Sequence, residues 1–471
     1  MTDDASVLEQ GLPPHLRGNY APVADERDSG PLTVRGELPA GLKGSLFRNG
    51  PNPQFPDPAA HWFLGDGMIH AFDLEGGTAR YRNRWVRTPR WLTERRAGRQ
   101  VYAGFGLRRP DAPEWAGSET GVANTNVIAH AGRLLALEEA HLPMEVSAAT
   151  LETCGYADFG ALRGPFTAHP KTDPRTGELL FFGYGAAGPF SPEVSIGALG
   201  RDGAVTRFER IAAPYASMIH DFAVTDRFMV LPVLPLTGSL ERARRGLSPY
   251  AWEPQAGAYL GLIARDGPAA DVRWFEGAPA YAFHVMNAWE EGGRVVVDLV
   301  AYDEAPLFPR ADGGPADPVW QSGRLARWSL DPDGPAVFEQ TPIDDLHSEF
   351  PRIDERWTGR RHRHGWYAAA DPHGGSKELN GIVHLDNLTG ARTVWRLGPG
   401  DVVSEPVFAP RGEAEGDGWI LAVAWRGEEA RSELLVFEAR DLDAGPVATV
   451  EAPRRVPFGF HGSWVPQGAA A

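Results

Sequence analysis

Short apolar segments recur along almost the whole chain and dominate its pattern. Each has the length of a β-strand and is bounded by Asp-Gly, Gly-Gly or Pro, which favour turns. Because one such segment soon follows another, the pattern predicts antiparallel meanders. The clearest segments are residues 133–138, 178–183, 227–232, 294–300, 381–385, 419–425 and 433–437.

A few stretches depart from this pattern. Residues 1–35 predict an irregular arm over the surface, because their start is acidic and Pro-rich. Residues 91–98 and 238–246 are compatible with helices, and residues 301–321 form a long Pro-rich segment. Long insertions in a regular scaffold commonly form lids and substrate passages, so we expect these segments to shape access to a site.

Composition supports a β fold. Apolar residues make up 42% of the 471 residues and aromatic residues 10%, which is enough for a large core. The 55 glycines and 41 prolines are spread along the chain, as a fold with very many turns requires. The composition therefore favours an all-β class.

Charge and cysteine content exclude several functions. The net charge is −16, and no basic stripe is interleaved with aromatic residues, so we expect no nucleic-acid partner. Cys154 is the only cysteine, which excludes an internal disulfide and a thiolate-based metal site. No run approaches the ~18 apolar residues of a membrane span, and the start lacks a signal-peptide pattern. We therefore expect a soluble, cytoplasmic protein.

Four histidines stand out by their positions. His169, His220, His284 and His461 each follow or interrupt an apolar or aromatic run, so we expect each at the end of a strand. The intervals are 51, 64 and 177 residues, the last being three times 59. These intervals are close to whole numbers of propeller blades with their loops, typically ~40 to 50 residues each. Because equivalent strand ends in a propeller converge on its axis, the spacing predicts four imidazoles around one metal.

Two further histidines, His61 and His70, flank Asp66-Gly67. We expect that dipeptide to join two apolar strands as a hairpin. Both histidines are interpreted as structural residues.

Three glutamates accompany the four histidines. Glu139 follows a strand, whereas Glu349 and Glu405 precede Phe350-Pro351 and Pro406, which are unfavourable places for a merely solvated carboxylate. A metal-bound imidazole needs an acceptor for its other N–H, and a buried carboxylate provides one. Four neutral nitrogens without a thiolate suit Zn, Cu, Fe or Ni and exclude Mg and Ca.

These residues lie in ordered motifs that resemble the carotenoid cleavage oxygenases, in particular the bacterial branch of lignostilbene and isoeugenol dioxygenases. The resemblance covers residues 39–464. The motifs are R-N-G-P-N-P, G-D-G-M-I-H, A-N-T-N-V, A-H-P-K, M-I-H-D-F, F-H-V-M-N-A-W-E, S-E-P-V-F and F-H-G-S-W.

The resemblance implies a fold and an activity. Residues 36–471 would form a single seven-bladed β-propeller, capped by helices and loops, with Fe(II) on its axis. The ligands would be His169, His220, His284 and His461. By the same resemblance, Glu139, Glu349 and Glu405 would pair with His220, His284 and His461, respectively.

The reaction of the family is O₂-dependent cleavage of a conjugated C=C bond into two carbonyl compounds. The implied partners are therefore O₂ and an apolar alkene, either an apocarotenoid or a stilbene or propenyl-aryl compound. Peripheral contact with a membrane is left open.

The substrate pocket departs from the resemblance. In the stilbene-cleaving branch a lysine precedes the first of the three acids, a tyrosine lies upstream, and together they bind the substrate phenol. Here those positions are Glu138 and Phe105, and neither side chain can stabilise a phenolate. Phe63 matches an aromatic lining residue of that branch. We therefore expect an apolar tunnel without a phenol clamp; the alternative for Glu138 is that it points to solvent.

Two other functions remain open from the sequence. The same fold could act as an isomerase or hydrolase, which oxygen uptake would distinguish. A propeller could instead bind a protein partner, and iron analysis would distinguish that role.

Overall fold

The computed structural model describes residues 11–104, 107–108, 119–160, 162–316, 322–370 and 378–470. The fold is a seven-bladed β-propeller with 45% strand and 8% helix, as the sequence predicted. Each blade is one sheet, and neighbouring strands in a blade pair antiparallel. The predicted division into an arm and a single domain stays a prediction.

One compact unit comprises Met1–Asp158, Leu397–Gly412 and Asp417–Ala471 and contains blades 1, 2 and 7. In sheet order, blade 1 contains Arg27–Ser29, Thr78–Trp85, Gly67–Glu75, Gly44–Pro51 and Gly462–Pro466. Blade 2 contains Thr153–Tyr156, Met144–Val146, Arg133–Leu137 and Asn126–His130. Blade 7 contains Val34–Gly36, Ala448–Glu451, Arg431–Glu438, Gly418–Arg426 and Val402–Val403, and Val407–Pro410 also pairs with Gly418–Arg426.

The other compact unit comprises Phe159–Arg396 and Glu413–Gly416 and contains blades 3 to 6. Blade 3 contains Lys171–Thr172, Leu179–Tyr184, Glu193–Leu199 and Val205–Ala212. Blade 4 contains Ala223–Val224, Phe228–Val233, Ala258–Ala264 and Arg273–Gly277. Blade 5 contains Tyr281–Glu291, Arg294–Tyr302, Arg324–Leu330 and Phe338–Pro342, and blade 6 contains Ser348–Ile353, His364–Ala370, Leu379–Asp386 and Ala391–Arg396.

Blade 1 is completed by the C-terminal strand. Gly462–Pro466 pairs with Gly44–Pro51, and Arg48 lies opposite Gly462. The backbone N–H of Asn49 extends this pairing by donating to the carbonyl of His461, at 2.8 Å. The N-terminal half of the chain therefore fixes the backbone of His461 directly.

Helices occur where the sequence predicted them, at Pro89–Ala97 and Leu240–Arg244. The first begins with Pro89 after Thr88, whose side chain accepts the N–H of Trp91, and ends at Ala97, which is followed by Gly98 with φ 67°. The remaining elements are two small sheets, Tyr102–Gly104 with Leu107–Arg108 and Leu236–Gly238 with Tyr250–Trp252, and 3₁₀ turns at Pro14–Leu16, Gly18–Tyr20, Trp62–Leu64, Pro254–Ala256, Ala269–Asp271, Glu355–Trp357 and Leu442–Ala444. No helix in the described part of the chain has the length and hydropathy of a membrane span.

The predicted hairpin at Asp66-Gly67 is wrong. Residues Trp62–Leu64 form a 3₁₀ turn, and Gly67 begins the strand Gly67–Glu75. Glycine is needed at position 67 for close packing, since a Cβ atom there would lie 2.3 Å from the carbonyl oxygen of Ala123. The dipeptide therefore allows close packing against a distant segment and does not form a tight turn.

The core of the first unit can be tested at Phe72, which is fully buried and packs edge-to-face on Tyr81 at 5.3 Å. Replacing Phe72 with alanine removes this packing and leaves a cavity, so we expect a loss of ~3 to 5 kcal/mol in the free energy of unfolding. Urea denaturation measures the loss. Val337→Ala is the control, because Val337 is 55% exposed and its truncation should change stability by less than ~0.5 kcal/mol.

Candidate metal centre

Three of the four histidines lie on, or just before, the first strands of consecutive blades. His169 precedes Lys171–Thr172 and His220 precedes Ala223–Val224, whereas His284 lies within Tyr281–Glu291. The Nε2 atoms of His169 and His220 are 3.0 Å apart, and those of His220 and His284 are 3.1 Å apart. The imidazoles therefore present the same nitrogen to one another.

His461 completes the group, directly before Gly462–Pro466. All four histidines are buried, and one nitrogen atom from each lies within 4.8 Å of the others. The convergence that the spacing predicted is therefore present.

The donor set fits a metal ion. Neutral imidazole nitrogens that face each other at hydrogen-bond distance need a proton or a cation between their lone pairs. Two nitrogens bound at ~2.1 Å to one metal, at a right angle, are separated by ~3.0 Å. The separations of 3.0 and 3.1 Å match this geometry.

Glu349 fixes the orientation of the His284 ring. Its carboxylate contacts Nδ1 of His284, which leaves Nε2 directed at the other histidines, and it also accepts the N–H of Phe350 and the hydroxyl of Tyr302. Burial by itself raises the pKa of Glu349, but His284 and these two donors outweigh burial and hold the pKa below its ordinary value. The carboxylate therefore stays ionised against the imidazole.

Backbone strain accompanies this contact. Phe350 has a φ of 55°, which non-glycine residues rarely adopt, and the register of Ser348–Ile353 shifts just after Glu349. The conformation places the Phe350 ring on His284, with centroids 5.4 Å apart.

Glu405 holds His461 in a similar way. Its Oε1 atom is 2.9 Å from Nδ1 of His461, and its Oε2 atom accepts the N–H of Gly462 at 2.9 Å. The guanidinium of Arg48 lies 3.6 Å from the same carboxylate and donates to the carbonyl of Phe460 at 3.3 Å. These contacts fix both the ring of His461 and the backbone beside it.

Sequence reasoning missed Tyr302 and Arg48. Tyr302 ends a mainly apolar strand and Arg48 lies in the R-N-G-P-N-P motif, but neither position by itself indicates a contact with Glu349 or Glu405. Each contact joins segments of two different blades that lie far apart in the sequence.

The first acid of the predicted set follows a strand of blade 2. Glu139 is half-buried just after the strand Arg133–Leu137, and its pairing with His220 stays a prediction.

The alternative that Glu138 points to solvent is wrong. Glu138 is buried, contacts Nδ1 of His141 and accepts the N–H of Val122 at 3.2 Å. Burial lowers the pKa of His141, but Glu138 and then Glu119 outweigh burial, so the pKa is raised. Glu138 is therefore buried with two partners, the imidazole of His141 and the backbone N–H of Val122.

The remaining predicted residues have distinct places. Phe63 is half-buried, and its ring packs edge-to-face on Phe460, the neighbour of His461, at 5.4 Å. Phe105 lies outside the described residues. His61 accepts the N–H of Phe63 at 3.2 Å.

His70 has the structural contacts that its interpretation required. It is buried and its Nδ1 atom lies 2.6 Å from the Tyr81 hydroxyl. Burial, with nearby arginines, lowers the pKa of His70 to about 3, so the ring is neutral.

A β-propeller with four buried imidazoles in one group, two of which contact carboxylates, is typical of a class of metal-binding proteins. Comparison with known proteins identifies the family. The family model of retinal pigment epithelial membrane protein matches residues 20–466. The chain belongs to this family, the carotenoid oxygenases.

Individual relatives cover nearly the whole chain. Isoeugenol monooxygenase of Pseudomonas nitroreducens is 36% identical, with 96% of this chain and 98% of the relative covered. Resveratrol cleavage oxygenase 1 of Aspergillus fumigatus is 37% identical, with 96% and 95% covered. The crystal structure of the lignostilbene dioxygenase of Pseudomonas brassicacearum superimposes with a TM-score of 0.92 at 36% identity, covering 97% of this chain and all of that one.

Proposed function

We propose that this protein is a non-haem Fe(II) dioxygenase. It cleaves a conjugated C=C bond of an apocarotenoid, or of a stilbene or propenyl-aryl compound, with O₂ to give two aldehyde or ketone products. The observation that carries the proposal is the buried group of four imidazoles within 4.8 Å of one another, in a chain of this family. The names of the relatives support an alkene substrate. A location in the cytoplasm is part of the proposal.

The histidines and the acids behind them have separate roles. His169, His220, His284 and His461 would hold the iron, which when bound supplies the activation of O₂. Glu349 and Glu405 keep the Nδ1 protons of their histidines, so that the Nε2 lone pairs face inwards.

Aromatic side chains form one wall beside His461. Phe460 directly precedes that histidine and contacts both Phe63, at 5.4 Å, and Trp62, at 4.6 Å. Such a wall packs against a flat conjugated alkene and excludes water from the reacting atoms. No side chain is required to transfer a proton.

A product screen tests the proposal. Iron-loaded protein is incubated under O₂ with carotenoids, apocarotenoids, stilbenes and propenyl phenols, while oxygen uptake is recorded and products are identified by mass spectrometry. We expect one of these classes to give paired carbonyl fragments with oxygen consumption. Isomerised or hydrolysed products without oxygen uptake would favour an isomerase or hydrolase, and a protein that binds no iron and turns over no alkene would favour a binding module.

The proposed place of Glu138 in the substrate pocket leads to a prediction about substrate specificity. Phe63 and Phe105 are proposed to line the pocket, with Glu138 at its polar end. Because the Glu138 side chain is a carboxylate that already contacts His141, a phenolate there would meet another acid and gain no cationic partner of its own. Leaving a buried polar group unpaired costs ~1 to 3 kcal/mol, so we expect 4-methoxystilbene to be cleaved roughly tenfold or more faster than 4-hydroxystilbene.

The matched variants separate repulsion from loss of binding. Glu138→Gln should reduce the discrimination without creating a phenol site, whereas Phe105→Tyr combined with Glu138→Lys should gain activity on the phenol. A wild-type enzyme that already prefers the free phenol would contradict this view of the pocket.

A further inference from the structure

One buried carboxylate contacts three segments that carry metal-site histidines. Asp221 directly follows His220, and its side chain is 3% exposed. Its Oδ1 atom is 2.7 Å from Nζ of Lys171 and accepts the N–H of Phe222 at 2.7 Å. Its Oδ2 atom accepts the N–H of Val285 at 2.8 Å. Asp221 therefore connects blades 3, 4 and 5.

Each of these groups is a near neighbour of a histidine in the chain. Lys171 follows His169 by two residues, and Val285 directly follows His284. The three blades are separate sheets, so no shared ladder of backbone hydrogen bonds sets the distances between their first strands. The contacts of Asp221 with Lys171 and Val285 instead link these strands directly beside the histidines.

The contact with Val285 falls at an irregular point of its strand. The register between Tyr281–Glu291 and Arg294–Tyr302 shifts on both sides of Val285. Bulges of this kind redirect a side chain and weaken local pairing. Asp221 holds the backbone at the point where the strand turns His284 towards the other imidazoles.

We propose that Asp221, with Lys171 as its counter-ion, is a positioning residue that keeps His169, His220 and His284 at the spacing one metal ion requires. The proposal rests on the proposed metal site but not on the reaction catalysed there. Asp221 acts through the backbone of its neighbours, and a carboxylate paired with the Lys171 amine suits this role because charge-assisted hydrogen bonds are the stronger kind.

Cobalt(II) binding to the metal-free protein tests this role. In Asp221→Asn the amide nitrogen cannot accept a hydrogen bond, so either Val285 or Lys171 loses its acceptor. We expect the dissociation constant for Co(II) to rise ~10 to 100-fold, as for other residues that orient ligands without touching the metal. The visible absorption bands of bound Co(II), which report its coordination geometry, should also change.

Asp298→Asn is the matched control, because Asp298 is a buried aspartate of blade 5 paired with Arg327 at 2.8 Å. It should lower the melting temperature of the metal-free protein but keep the Co(II) dissociation constant. If Asp221→Asn shows that same behaviour, Asp221 is only structural and the proposal is overturned.

Two lysine variants keep the proposal testable if Asp221→Asn does not fold. Lys171→Met should weaken Co(II) binding, and Lys171→Arg, which keeps the charge, should restore most of the affinity. Unchanged affinity in Lys171→Met would overturn the role of the pair. A wild-type protein that fails to bind Co(II) would instead contradict the proposed metal site.

Discussion

Replacing His284 with alanine should remove most of the bound iron. Turnover should fall by more than ~100-fold, which is the largest loss expected when an acid that orients a ligand is removed. The change deletes one of four nitrogen donors. It also leaves the Glu349 carboxylate buried without its imidazole, which is costly for an ionised group. Iron content after reconstitution and the rate of alkene cleavage measure both effects.

The control for this prediction is His61→Ala. His61 is half-buried and outside the four-histidine group, so its loss should leave the metal largely bound. The same holds for His70→Ala, although that ring is buried and its removal should lower stability. A His284→Ala protein with full iron and full turnover would show that His284 is not a ligand.

Glu349→Gln and Glu405→Gln should each lower iron affinity or turnover by ~10 to 100-fold while the fold is kept. An amide of the same shape fills the space, but it has only one acceptor oxygen, so its NH₂ group must face either the Nδ1–H of the histidine or the second donor. The competing donors from Tyr302 and Gly462 then lose a charged partner. Iron titration and steady-state rates provide the measurement.

Glu339→Gln serves as the comparison for both acids, since Glu339 is a 70% exposed surface residue and its change should have no effect on the metal. If Glu349→Gln and Glu405→Gln matched Glu339→Gln in iron content and rate, the two acids would have no role in orienting the ligands.

The inner strands of the propeller were predictable because both of their faces are buried. Gly418–Arg426 is buried at every position but the last, so it forms a continuous apolar run in the sequence. The outer strand Val205–Ala212 instead alternates between exposed residues and residues that are half-buried or buried, and Lys171–Thr172 has only two residues. Neither of these strands stands out from its neighbours in the sequence.

The site was predictable where one residue indicates its own chemistry. A histidine at blade spacing and an acid before proline can be recognised without knowing their neighbours, which is why Glu349 and Glu405 were found. Tyr302 and Asp221 could not be found, because their roles arise from strands that only the folded chain brings together. The hairpin predicted at Gly67 was wrong for the same reason, because the glycine is needed for close packing against Ala123, which is more than fifty residues away in the sequence.

The most direct test combines metal analysis with isotope labelling. Protein reconstituted with Fe(II) should contain one iron per chain and should cleave its alkene under ¹⁸O₂ to two carbonyl products, each with one labelled oxygen when reduced before exchange with water. Label in only one product would contradict dioxygenase chemistry. A protein that binds no iron at His169, His220, His284 and His461, or that cleaves the alkene equally well without iron, would contradict the central claim.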